Sequence, residues 1–60
     1  MTFRDVMTQV AKFSTEAMAR SYAEYDANRW IVLGDDNEYW VTSYRWANWL
    51  VKNGYEMLEK

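Results

Sequence analysis

Cysteine, histidine and proline are absent from this sequence, and glycine occurs only at Gly34 and Gly54. Without cysteine there is no disulfide framework, no thiolate metal site and no thiol nucleophile. Without histidine the chain lacks the commonest general base and the commonest metal ligand. Two isolated glycines cannot form a glycine-rich phosphate loop. No apolar run reaches the roughly 18 residues that a membrane span requires. Polar residues interrupt every candidate apolar stretch of a secretory signal in Met-Thr-Phe-Arg-Asp-Val-Met-Thr-Gln, so the expected location is the cytoplasm. Charge of neither sign dominates. Seven Lys/Arg and nine Asp/Glu leave a net −2, without the basic surplus of a nucleic-acid binder.

What is abundant is aromatic surface. Four Trp, five Tyr and two Phe sit among 60 residues, half of which are hydrophobic. A chain of about 60 residues buries only about 60% of its unfolded surface and has a marginal core. Aromatic side chains, at roughly 150–250 Å² each, supply core area in a short chain. Residues 1–60 read as one α+β domain, with a long N-terminal helix, an antiparallel β-hairpin, a second short helix and a short C-terminal third strand.

The first helix is expected over residues 3–25. Thr2 stands at its N-cap and Asp5 in the capping-box position. Projected at about 100° per residue, the apolar side chains from Phe3 to Tyr25 fall on one half of the wheel, with Ser14, Ala17 and Ser21 forming a stripe of small residues. Arg29–Leu33 and Glu38–Thr42 read as strands around the turn Gly34-Asp35-Asp36-Asn37. Pairing Leu33 with Glu38 puts Trp30, Val32, Tyr39 and Val41 on one apolar face, and Ile31, Leu33 and Trp40 on the other. The second face is too apolar for water, so the C-terminal segment or a second copy should cover it. The second helix runs from Tyr44 to Asn53, with Gly54 at C′ and Tyr55 placed to touch Leu50. Residues 55–58 form the third strand.

For chemistry the sequence offers little. Ser14, Ser21 and Ser43 lie in no nucleophile elbow and have no histidine to activate them. Asp35, Asp36 and Glu38 lack the spacing of a calcium loop and read as turn residues without a metal. No catalytic residue and no cofactor is expected. The aromatic surplus points instead to a non-enzymatic protein-interaction module, an inhibitor or adaptor of the kind phages and other mobile elements encode. Such a module would pair with itself as a homodimer and block a larger protein. Trp40, Trp46 and Trp49, with Ile31 and Leu33, are the expected partner-binding residues, since Trp is enriched at interface hot spots. The alternative is nucleic-acid binding or transcription regulation through the polar stripe Arg45, Asn48 and Lys52 of the second helix, where Arg and Asn would read base edges.

Overall fold

The computed structural model describes residues 2–59. In chain order the elements are α1 (Phe3–Met7), β1 (Ala11–Phe13), α2 (Glu16–Ala23), β2 (Arg29–Leu33), β3 (Tyr39–Ser43), α3 (Tyr44–Lys52) and β4 (Glu56–Glu59). The long helix expected over residues 3–25 is not formed; a short helix, a strand and a second helix take its place. The capping box itself is present: Asp5 N–H donates to Thr2 Oγ1, and Thr2 N–H donates to the Asp5 carboxylate. Thr8 then ends α1 by donating its hydroxyl to the Asp5 carbonyl at 2.7 Å, a local bond that competes with helix continuation. Thr15 restarts the helix as an N-cap, accepting from Met18 N–H. Ser14, expected in the small-residue stripe of one continuous helix, therefore stands with Thr15 at a break.

Between the breaks, β1 gains its hydrogen bonds from a distant partner, with Ala11 opposite Val41 and Phe13 opposite Tyr39. The sheet has the order β1-β3-β2-β4, and every neighbouring pair is antiparallel. The expected C-terminal strand is present as β4 and pairs with β2, making it the fourth strand rather than the third.

The hairpin is present, but its register differs by one residue. Leu33 pairs with Tyr39, Val32 with Trp40 and Ile31 with Val41. Gly34 N–H donates to the Glu38 carbonyl at 2.9 Å, and Asn37 adopts φ 65°. The tip is thus a three-residue loop ending in a left-handed residue, a common hairpin closure that Asn tolerates. Because side chains alternate along a strand, the slip moves Trp40 to the face of Val32 and moves Val41 and Tyr39 to the face of Ile31.

Both faces of the sheet are covered by helices of the same chain. Val32 and Trp40 join Val6 of α1 and Ala47 and Leu50 of α3 in one buried cluster. Ile31 and Val41 pack on the other side against Ala19 and Ala23 of α2. The cover expected from the C-terminal segment or a second copy comes from these helices together with Tyr55, Met57 and Leu58 of the C-terminal segment. Alanines on the inner side of α2 let the helix lie close to the β-branched pair. Its larger apolar residues, Met18 at 51% and Tyr22 at 36% exposure, consequently point outward.

Candidate interaction face on α3

A distant residue supports the start of α3, and local sequence fixes its end. At its start Ser43 makes no side-chain cap bond, and the Asn28 carboxamide oxygen accepts from Tyr44 N–H at 3.5 Å instead. At its end Gly54 adopts φ 100°, Gly54 N–H donates to Val51 and Tyr55 N–H donates to Leu50. That pair of bonds is a Schellman closure, as the Gly54-Tyr55 sequence predicts. Tyr55 packs against the cluster containing Leu50.

With the ends fixed, the helix turns Ala47 and Leu50 fully inward. Trp46 and Trp49 are half-buried against the same cluster. Outward lie Tyr44, 50% exposed, and Val51, 39% exposed, together with exposed Arg45 and Lys52 and half-buried Asn48. The guanidinium of Arg45 lies 4.8 Å from the ring centre of Trp46. The Tyr44 ring lies 5.2 Å from that of Trp30. Arg45, Asn48 and Lys52 keep the single stripe that helical spacing assigns them. Tyr44 and Val51 border it on one flank. Their exposure depends on how far the sheet and α1 extend beneath the helix, which spacing within α3 does not encode.

The other expected partner-binding residues lie elsewhere. Trp40 and Ile31 are each 1% exposed and belong to the core. Leu33 is half-buried at the wall of an open groove of about 420 Å³ that also includes Asp35, Gly54 and Tyr55. The structure therefore groups Trp46 and Trp49 with the polar stripe and separates Trp40, Ile31 and Leu33 from it.

The acidic hairpin tip has a structural task that turn propensity alone did not reveal. One oxygen of Asp36 accepts from Glu38 N–H at 3.0 Å and from the Trp40 indole N–H at 3.2 Å. The other accepts from Lys12 of β1 at 3.2 Å. Desolvation pushes the Asp36 carboxyl upward, but the bond from Glu38 N–H and the Lys12 ammonium outweigh it and hold the group below its ordinary range. Tyr55 donates to Asp35 at 3.3 Å. Burial raises its hydroxyl above the ordinary value, and the neighbouring Asp35 charge acts in the same direction. Phe3, Trp40 and Tyr55 complete the tip as a cluster of rings with centres 5.1–6.1 Å apart. Among the described residues no group of three acidic side chains could hold a metal ion, and no helix is long and apolar enough to cross a membrane.

No known protein family matches this chain, and none of the curated proteins or solved structures compared with it is similar.

Proposed function

We propose that this chain is a small non-enzymatic interaction module, an inhibitor or adaptor, that docks on a larger protein through the outer face of α3. The observation that carries this reading is the exposure of Tyr44 and Val51 on one flank of the Arg45, Asn48 and Lys52 stripe, with half-buried Trp46 and Trp49 toward its other flank, while both faces of the sheet are already filled from within the chain. Tyr, Trp and Arg dominate interface hot spots, and Tyr44, Arg45, Trp46 and Trp49 bring all three types onto one short helix. A second copy is a poorer occupant of this face. A two-fold interface sets the same patch against itself, and α3 carries Arg45 and Lys52 with no acid. Its cations would find no complement there.

A photo-crosslinking side chain at position 51 tests the reading in the native cell, with position 25 on the opposite side of the sheet as control. The expected result is one discrete protein adduct from position 51 and none from position 25. Equal, diffuse labelling from both positions removes α3 as the docking face.

The second reading, nucleic-acid binding through Arg45, Asn48 and Lys52, has their common outward stripe in its favour. Phosphate contacts dominate such affinity. Two exposed cations on a chain of net charge −2 supply few of them.

A further inference from the structure

The distribution of charge over the molecule names the chemistry of the partner. α3 holds Arg45 and Lys52 and no Asp or Glu. α1, which packs on the same side of the sheet through Val6, adds Arg4 against a single acid, Asp5. The acids collect elsewhere. On the opposite side Glu16, Glu24 and Asp26 accompany α2 and its following turn. The hairpin tip carries Asp35, Asp36 and Glu38, and β4 begins with Glu56.

Among the described residues, the cations outside α1 and α3 are engaged within the fold. Lys12 pairs with Asp36 and Arg20 with Glu16, and Arg29 stacks on Tyr22 at 4.0 Å while donating to the Tyr22 carbonyl. Among the described residues, neither Arg45 nor Lys52 has a carboxylate partner. Arg45 is instead spread over the Trp46 ring, a placement that leaves guanidinium N–H groups able to reach an incoming carboxylate.

Resting on the docking role of α3 proposed above, we infer that this face binds an acidic protein segment that also carries apolar side chains. Its carboxylates meet Arg45 and Lys52, and its apolar residues lie on Tyr44, Val51 and Trp49. An acidic segment fits the cations, and the apolar border of the stripe fits a peptide better than a phosphate backbone. Electrostatic matching of this kind sets association rate and partner choice, and weakens with salt.

The test is a random-peptide display selection on the full chain. Recovered peptides should be acidic and apolar relative to the input pool. Their affinity should fall about tenfold or more with the Arg45→Glu/Lys52→Glu double variant, and should be unchanged by Glu24→Lys on the other side of the sheet. Reversal at position 52 places an acid at a helix C-terminus, where it is unfavourable. Arg45→Gln/Lys52→Gln is therefore tested in parallel, and circular-dichroism melts show which variants fold.

Recovered peptides without acidic bias, or with affinity indifferent to the Gln pair, overturn the inference. If those peptides are still lost on Tyr44→Ser/Val51→Ser, the docking face stands and only the partner chemistry is wrong. Recovery of no peptide, with no adduct from position 51, removes both proposals. Fluorescent mixed-sequence DNA and RNA oligonucleotides form the last arm. Binding that the Gln pair abolishes, without selection of acidic peptides, overturns the inference in favour of nucleic acid.

Discussion

The hairpin tip and the outer face of α3 are built from similar materials, charged side chains set beside aromatic rings, and they differ in where the charges are satisfied. At the tip, Asp36 takes hydrogen bonds from Glu38, Trp40 and Lys12, drawing three parts of the chain onto one carboxylate. On α3, Arg45 and Lys52 face solvent. A charge whose partners are internal contributes to the fold and offers little to a partner protein. A charge without an internal partner contributes little to stability and is available for recognition. Composition does not separate the two regions; wiring does.

The sharpest way to break the tip is through its central ring. Trp40→Ala removes a fully buried side chain from beneath α1 and α3 and should cost about 3–5 kcal/mol, measured by urea denaturation. Gly34→Ala comes next. A Cβ at Gly34 would collide with the Trp40 indole and lie 2.7 Å from the Asp36 carboxylate, so overpacking should cost about 3 kcal/mol. The backbone angle is not what demands glycine there; the proximity of the ring is.

Asp36→Asn should lower the melting temperature by less than either of these. Its pH dependence identifies the cause. The folded carboxyl sits below its ordinary value of 3.8, so the stabilisation is fully present above that value and is lost as pH falls through the lower folded one. Melting curves of Asp36→Asn and the parent chain should therefore differ at neutral pH and converge in strong acid. A constant gap across that range would show that the carboxylate charge is not what holds the tip.

The smallest stability effect belongs to α3. Arg45→Ala and Lys52→Ala should each change stability by no more than about 0.5 kcal/mol, although the same substitutions should weaken binding of the proposed acidic partner. A large loss of stability from either would place that residue among the internally wired charges and dissolve the contrast.

Much of the fold was legible where the signal is local. Thr2 and Asp5 announce α1, Gly54 and Tyr55 announce the end of α3, and the apolar runs on either side of Gly34 announce the hairpin. The polar stripe of α3 was legible for the same reason, because it depends only on helical spacing. What escaped was decided at a distance. Three residues, Ala11-Lys12-Phe13, have too little periodicity to declare a strand, and their hydrogen bonds come from residues 39–41. Once β1 claims that segment, α2 is free to rotate its alanines inward, and the apolar half-wheel of a continuous helix no longer describes anything. Trp40 escaped through the hairpin register, and Tyr44 and Val51 through the extent of the layer beneath α3.

The three-residue tip also makes the chain sensitive to parity. An odd number of residues separates Leu33 from Tyr39, and that oddness assigns Trp40 to the side of α1 and α3 and Val41 to the side of α2. Removing or adding one residue between them would exchange the two halves of β3, sending an indole against Ala19 and Ala23, where the helix lies too close to admit it. A change of two residues would preserve the assignment and alter only the tip. Length variation in this loop should therefore be tolerated in steps of two, a constraint arising from the pleat of a strand rather than from any particular side chain.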